Sequence, residues 1–383
     1  MTLDLELCRA VGEAADRLIS SQIFMSGGGA DPTVRNINQF LYEAAYAQQG
    51  APLTYMAAKA LIERIKPRDT VIICTGFFDP PSMITEGDGP IGAVLLGRAL
   101  AAALNATPVF LTEVTNIPRV EALIQATGLE VLDLELARTT AFKAAIVPLP
   151  IDSARAEQLS QSLTEVIKPV AMISIEKPSP SFAGTYHTGS GVDVSSLVGK
   201  VDYFVKAAQE YGALTIGIGD GGNEVGMGLI ANEVRTIVST GAIIGSSVKT
   251  DMLVVGAIAN WGAYAIEACL AAALHLPEVL HSVSMERRVV DTAARVGMID
   301  PMSGMAHGWV DGTPPSCSES ILELLRQMVE LRINYKTRQH GLCSNGRRWH
   351  HAPERDEQIR IWANHLAAEE NAYFAEKDAI DAT

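Results

Sequence analysis

The sequence is poor in aromatic residues, which make up 6% of its 383 residues, and it has only five cysteines. The cysteines are widely spaced and none forms a Cys-X-X-Cys pair, so they indicate neither a zinc site nor a disulfide framework. Basic residues are also few: 30 Lys and Arg against 44 Asp and Glu give a formal net charge of −14. Because so acidic a surface repels a phosphate backbone, we expect no nucleic-acid partner.

The N-terminus has no basic segment before an apolar run and no Arg-rich amphipathic start, which are the features of signal and transit peptides. We therefore expect a cytoplasmic protein. One apolar stretch, residues 252–274, has the length of a membrane span. It contains Asn260, Trp261 and Glu267 among many small residues, a composition that favours a helix buried in a protein core over a membrane segment.

Hydrophobic residues make up 48% of the chain and charged residues 19%, and glycine occurs 32 times, as in a folded protein with a large core. Short apolar runs such as residues 70–75 and 170–175 alternate with helical segments. Apolar runs bounded by turn residues are typical of strands buried on both faces, as in parallel sheets. The alternation predicts a doubly wound α/β fold, with a mainly parallel sheet and helices on both faces.

Three regions are predicted: a helical N-terminal extension (1–65), an α/β catalytic domain (66–316) and a helical C-terminal extension (317–383). The predicted strands of the middle region are 70–75, 108–111, 130–134, 145–148, 170–175, 214–218 and 233–238. Residues 247–255 then precede a predicted long Ala-rich helix that begins at about Asn260. The C-terminal extension ends in a charged helix and is expected to serve packing or contacts in a homo-oligomer. Its adjacent His350 and His351 are interpreted as solvent-exposed residues rather than metal ligands.

The loops that follow strands are the candidate site, because a parallel sheet binds ligands beyond the carboxyl ends of its strands. The first such loop offers Thr75 and Gly76, and it continues to Glu86 and Asp88. Two carboxylates at positions i and i+2 of a Gly-containing loop are able to point into one pocket. Capping of the following helix explains Asp88 equally well, but it does not explain Glu86.

Charged and polar residues follow two further strands. Glu113 ends one strand, and a salt bridge to a neighbouring loop is the alternative explanation for it. Glu176 and Lys177 end the other strand and are followed by Tyr186 and His187 in a Gly-rich stretch. Lys177 is a candidate for neutralising a substrate carboxylate. A surface pair with Glu176 agrees less well with its position directly after a buried strand.

The most specific motif is the Gly-rich segment GIGDGGNEVGMG at residues 217–228. Its Gly-X-Gly-X-X-Gly spacing after a strand allows backbone N–H groups to bind a pyrophosphate, but a dinucleotide site also requires a helix directly after the glycines. Asp220 and Glu224 would repel phosphate, so we favour a small polar ligand, or Mg²⁺ or Mn²⁺ held by these two acids. The substrate-binding candidates of this loop are Gly221, Gly222 and Asn223.

The last candidates, Asn260 and Trp261, stand at the start of the predicted Ala-rich helix. An amide and an indole N–H at a helix N-terminus would form an anion site. Core packing explains Trp261 equally well.

Four segments in this order make the chain resemble the D-glutamate cyclase family over roughly residues 30–310: 85–92 (TEGDGPIG), 175–178 (IEKP), 219–228 (GDGGNEVGMG) and 260–262 (NWG). The third string is long and specific. In the first, Gly87 stands where the family pattern TETDGP has Thr, so no hydroxyl role is expected there, whereas Glu86 and Asp88 are kept. The resemblance implies a lyase that reversibly dehydrates D-glutamate to 5-oxo-D-proline.

Closing this lactam requires a neutral amine, a γ-carboxyl group held within attack distance, a stabilised oxyanion and a proton for the departing water. The candidate catalytic residues are Glu86, Asp88, Lys177, Tyr186, His187 and Asp220. A carboxylate would take the ammonium proton, and Tyr186 or His187 would protonate the water. Lys177, with a metal ion on Asp220 and Glu224, would neutralise the γ-carboxylate.

Two other functions stay open at this point. A nucleotide-dependent enzyme would bind the phosphates of NAD or ATP with the Gly-rich loop, and these ligands would raise its melting temperature while D-glutamate would not. A non-catalytic amino-acid-binding protein would bind 5-oxoproline without converting it.

Overall fold

This computed structural model describes residues 3–21, 23, 37–80, 82–334, 357, 359–368 and 370, and strands alternate with helices along it. Its strands are β1 (Thr70–Thr75), β2 (Phe78–Asp79), β3 (Ile84–Thr85), β4 (Thr107–Thr112), β5 (Glu130–Val131), β6 (Lys143–Pro148), β7 (Ala171–Ile175), β8 (Leu214–Gly219) and β9 (Met252–Val255). Seven of them form one parallel sheet in the order β5-β6-β4-β1-β7-β8-β9, and β2 pairs with β3 as a small antiparallel hairpin. The predicted α/β fold with a parallel sheet is therefore confirmed.

The helices are α1 (Leu5–Ile19), α2 (Ile37–Gln49), α3 (Leu53–Arg64), α4 (Pro90–Leu104), α5 (Ile117–Ala126), α6 (Leu134–Thr139), α7 (Ser153–Ile167), α8 (Val201–Tyr211), α9 (Ala231–Ile237), α10 (Gly241–Ile244), α11 (Ala259–Leu274), α12 (Val283–Arg295) and α13 (Pro315–Ile333). Side chains alternate along β1, so Ile72 and Cys74 pack towards α7 and α8 while Ile73 lies against α4. Helices therefore cover both faces of the sheet. A Cβ on Gly97 of α4 would lie 2.7 Å from Phe110 Cζ, so this glycine lets α4 pack directly on the sheet.

The apolar stretch at residues 252–274 divides into β9 and α11, and every residue of α11 is buried. The helices α1, α3 and α4 surround α11, so it lies in a protein core as predicted. None of the described helices combines the length with the apolar composition that crossing a bilayer requires.

Two predicted strands are corrected by the structure. Residues 233–238 lie in α9 and its C-terminal cap, although their β-branched residues favoured a strand, because Val234 packs against the backbone of Gly222 and Gly245. In the segment 130–134 only Glu130 and Val131 form a strand. The chain then turns into α6, whose residue Ala137 donates its N–H to the Asp133 carbonyl at 2.9 Å.

The chain divides into two compact units, residues 1–330 and 331–383. In the second unit residues 359–368 are helical, in agreement with the predicted helix near the end of the chain. His350 and His351 lie outside the described residues. The boundaries predicted at residues 65/66 and 316/317 stay predictions.

Candidate functional site

Asp88 is held at the N-terminus of α11. Its Oδ2 accepts the Ala259 N–H at 2.9 Å, and its Oδ1 accepts the Asn260 N–H at 2.9 Å and the Gly89 N–H at 3.0 Å. The anion bound at this helix N-terminus is therefore a carboxylate of the chain itself. The alternative explanation, that Asp88 caps the helix that follows it, does not hold: Asp88 binds the N-terminus of α11, and Gly89 stands at the N-cap position of α4.

Asn260 binds the same loop through its side chain. Its Oδ1 accepts the N–H groups of Gly89 at 3.0 Å and Gly92 at 2.6 Å, and its Nδ2 donates to the Gly87 carbonyl at 3.2 Å. The next residue, Trp261, is fully buried and donates its indole N–H to Ser318 Oγ at 2.9 Å. Asn260 thus fastens the loop of residues 86–89, called the acidic loop below, and Trp261 fits the core-packing alternative.

Glu224 occupies the N–H groups of the Gly-rich loop. Its Oε1 accepts the N–H groups of Asp220 at 3.0 Å and Gly221 at 2.6 Å, and its Oε2 accepts that of Gly222 at 2.7 Å. A Cβ on Gly219 would lie 2.8 Å from the Glu224 carboxyl carbon, so this glycine makes room for the side chain. The donors that a phosphate would need are bound to a carboxylate, and a 3₁₀ turn rather than an α-helix follows the loop.

Several carboxylates meet where the acidic loop, the Gly-rich loop and the end of β7 converge. One carboxylate oxygen from each of Asp88, Glu176 and Asp220 lies within 4.8 Å of the other two. Glu86 is buried nearby, on a loop whose backbone is tied to the segment after α12 by a 3.0 Å bond from the Gly87 N–H to the Ile299 carbonyl. None of the ion pairs found among the described residues involves these acids.

Burial and mutual repulsion perturb these carboxyl groups. Burial is the main cause that raises the pKa of Glu86, Glu176 and Asp220 well above the ordinary range, and neighbouring carboxylates raise it further. Burial also raises the pKa of Asp88 to about 6, although its three backbone N–H bonds oppose the shift. Strongly perturbed carboxyl groups in one cleft are typical of functional sites.

Two residues of this cleft were missed by the sequence analysis. Asp311 raises the pKa of Glu86 and Asp220 by its charge, and its neighbour Val310 reaches within 3.5 Å of the Cβ position of Gly87. Asn38 of α2 donates through Nδ2 to the Asp220 carbonyl at 2.9 Å. Neither residue belongs to a motif, and a Gly-flanked acid in a loop was the only signal for Asp311.

Lys177 and Glu113 form a separate, internal ion pair. The Lys177 side chain is fully buried, and its Nζ contacts Glu113 Oε1 and donates to the Gly76 carbonyl at 2.6 Å. Glu113 Oε1 also accepts the Gly199 N–H at 2.7 Å. The salt-bridge alternative therefore describes Glu113, and the partner of Lys177 is Glu113 rather than Glu176.

Tyr186 and His187 lie in the loop beyond β7. Tyr186 packs in an apolar cluster with Phe77, and its hydroxyl donates to Asp202. Burial, and after it the charge of Asp202, raises the pKa of the phenol. His187 is buried, and its carbonyl accepts the Asn223 Nδ2 donor at 2.8 Å. The structure thus turns the Tyr186 hydroxyl towards α8.

The predicted residues fall into groups. The acidic cleft contains Thr75, Glu86, Asp88, Glu176, Asp220, Gly221, Gly222, Glu224 and Asn260. Apart from it stand Gly76, Glu113 and Lys177 as one group, Tyr186, His187 and Asn223 as another, and Trp261 in the core.

Comparisons with known proteins identify the family of the chain. A family model described as D-glutamate cyclase-like, C-terminal, matches residues 28–326, which include every acid of the cleft. A human protein named D-glutamate cyclase, mitochondrial, is 25% identical over 248 residues, which are 63% of this chain and 37% of that relative. The chain thus spans little more than a third of the relative's length, and its own expected cytoplasmic location stays a prediction. Because the family model matches well over half of the chain, the chain belongs to the D-glutamate cyclase-like C-terminal family.

Proposed function

We propose that this protein is a lyase of the D-glutamate cyclase type, which reversibly dehydrates D-glutamate to 5-oxo-D-proline. The observation that carries the proposal is the cleft of buried carboxyl groups beyond the carboxyl edge of the sheet, in a chain of this family. Buried carboxyl groups with raised pKa values are able to take and return protons near neutral pH. The name of the human relative supports the choice of substrate.

Glu86 is the proposed general base. Asp88 has three backbone N–H donors on its carboxylate, whereas no described hydrogen bond engages the carboxylate of Glu86, and its raised pKa makes it the stronger base. In the cyclising direction Glu86 would take a proton from the substrate ammonium, and the freed amine would attack the γ-carboxyl carbon. In the reverse direction the same group would return the proton.

Tyr186 and His187 lie apart from the acidic cleft, so the proton for the departing water is proposed to come from Glu86, which would pass on the proton that it took from the ammonium group. The Tyr186 hydroxyl already donates to Asp202, and its raised pKa makes it a weaker acid. Lys177 is matched by Glu113 inside the protein, so its proposed part is to hold the ends of β1 and β4 in place. A nucleotide-binding role has less support, since Glu224 already binds the loop N–H groups.

One assay tests the function. The purified chain is incubated with D-glutamate, L-glutamate and both 5-oxoproline enantiomers, with Mn²⁺ or with a chelator, and both directions are followed by chiral chromatography. We expect interconversion of the D-compounds, and we expect Glu86→Gln to lower kcat/KM by about 10²- to 10⁴-fold, the usual contribution of a general base.

Glu157→Gln is the matched control, because Glu157 is an exposed residue of α7. It should leave the rate unchanged. Absence of turnover in both directions under every condition would overturn the proposal, and binding of 5-oxoproline without turnover would indicate a binding protein instead.

A further inference from the structure

The acidic cleft poses a charge problem for the proposed substrate. Glutamate carries two carboxylates and one ammonium group, so it is an anion, and it would approach a cleft lined by Glu86, Asp88, Glu176 and Asp220. The described residues place no Lys, Arg or His in an ion pair with any of these four acids. Like charges at close range disfavour each other, so either protons on these acids or a bound cation must offset their charge when a substrate carboxylate enters.

The geometry of three of the carboxylates suits one metal ion. An oxygen from each of Asp88, Glu176 and Asp220 lies within 4.8 Å of the others. Oxygen ligands about 2.0–2.6 Å from a common ion have this spread. The three side chains come from three separate elements, the acidic loop, the end of β7 and the end of β8, so the fold itself brings them together.

Unpartnered polar atoms at the same place point independently to a ligand. Glu176 is 6% exposed and Thr75 is 0% exposed, yet Glu176 Oε2 and Thr75 Oγ1 have no hydrogen-bond partner among the described residues. The Cβ position of Gly89 lies 2.8 Å from Thr75 Oγ1 and 2.8 Å from Glu176 Cβ, so both residues line the wall beside Asp88. A buried polar atom without a partner is costly, and a bound ion with its waters would satisfy both.

We propose that Asp88, Glu176 and Asp220 bind one Mg²⁺ or Mn²⁺ ion, and that this ion supplies the counter-charge for a substrate carboxylate. Only oxygen ligands are present, which favours hard divalent cations, and three carboxylates leave coordination positions for water and substrate. The binding of the ion stands on the geometry, whereas its contact with substrate rests on the proposed function.

This assignment changes the ligand set expected from the sequence, which paired Asp220 with Glu224. The carboxylate oxygens that converge within 4.8 Å of one another belong to Asp88, Glu176 and Asp220 and do not include Glu224. The oxygens of Glu224 accept backbone N–H groups instead, including that of Asp220 itself. Glu224 therefore orients the backbone from which Asp220 projects, as groups behind metal ligands commonly do. Asp88 is oriented in the same way by the N-terminus of α11.

Metal binding is tested without reference to turnover. The chain is stripped with a chelator and titrated with Mn²⁺, and bound ion is counted from the loss of the free-Mn²⁺ electron paramagnetic resonance signal. We expect one saturable site per chain, displaced by Mg²⁺ and weakened at least tenfold in Asp220→Asn and in Glu176→Gln. Asp291→Asn, which neutralises an exposed acid on α12, is the matched control and should bind as the wild type does.

Melting temperatures give a second readout that also checks folding. Removing one of several mutually repelling acids should raise the melting temperature of the metal-free variants above that of the metal-free wild type, while Mn²⁺ should stabilise only the wild type and Asp291→Asn. Absence of a saturable site in the wild type, or unchanged binding in both Asp220→Asn and Glu176→Gln, would overturn the metal site. Metal binding without cyclisation of glutamate would leave the site standing and refute the proposed function.

Discussion

Replacing Asn260 by alanine is the sharpest test of how the acidic loop is held. The side chain is 1% exposed and joins α11 to the loop through Gly87, Gly89 and Gly92. Its loss removes those bonds and leaves the bonds between Asp88 and the N-terminus of α11 in place, because the latter use backbone N–H groups. The variant therefore loosens the loop without deleting a carboxylate.

The size of the effect follows from which groups lose their partner. The Gly89 N–H still has Asp88 Oδ1 at 3.0 Å, so it stays satisfied. The Gly92 N–H lies in the first turn of α4, where N–H groups have no acceptor within the helix, so it loses its partner when Asn260 Oδ1 is removed. The Gly87 carbonyl loses its donor in the same way. Each buried group left unpaired costs about 1–3 kcal/mol, so we expect a loss of about 2–6 kcal/mol in the free energy of unfolding.

Urea unfolding measures this loss, and initial rates of cyclisation measure its effect on the site. Because a displacement of about 1 Å at reacting groups costs about 10²-fold in rate, kcat/KM should fall by one to two orders of magnitude. The control is Asn232→Ala, an exposed position on α9, which should stay within about 0.5 kcal/mol of the wild type. A loss below about 1 kcal/mol in Asn260→Ala would refute the assigned role of the amide.

Two further predictions concern backbone space and pH. Gly89→Ala should prevent the loop from adopting its conformation, since φ at Gly89 is +88° and a Cβ would lie 2.8 Å from Thr75 Oγ1. The melting temperature measured by circular dichroism should therefore fall strongly. A variant that melts at the temperature of the wild type would contradict this geometry. His281 is buried between Glu267 and Glu286, whose charges raise its pKa to about 9 against the desolvation that lowers it. Because the pKa of His281 in the folded protein exceeds its unfolded value of about 6.5, its contribution to stability is complete below pH 6.5 and is lost as the pH rises through about 9. The free energy of unfolding should fall by about 3 kcal/mol over this range. Urea unfolding at several pH values should show this decline, and His281→Gln should abolish it.

Much of the cleft could be predicted from local pattern. Glu176 and Asp220 directly follow the parallel strands β7 and β8, and parallel strands bring such positions to one edge. Glu86 and Asp88 lie further along the chain after β1, beyond the β2–β3 hairpin, and join the same cleft. The helix over 233–238 was missed because β-branched residues favour strands, whereas packing of Val234 against Gly222 decided the outcome.

The hydrogen-bond and ion-pair partners of these residues, by contrast, could not be predicted, because they lie far away along the chain. Asp88 and Asn260 are 172 residues apart, and Lys177 and Glu113 are 64 apart, so no local rule shows which donor meets which acceptor. Local sequence also gives no sign that Asp311 acts on Glu86, because the two residues lie far apart along the chain.

The sequence by itself determined the class of fold, the family and the edge of the sheet where acids would gather, because periodicity and short motifs are local properties of the chain. Only the tertiary structure decided what each acid does there. It divided the carboxylates into two groups. The oxygens of Asp88 and Glu224 accept backbone N–H groups, whereas Glu86, Glu176 and Asp220 have no such donors among the residues that the structure describes. The physical reason is that a buried carboxylate is defined by the donors around it, and those donors come from segments that meet only when the chain folds.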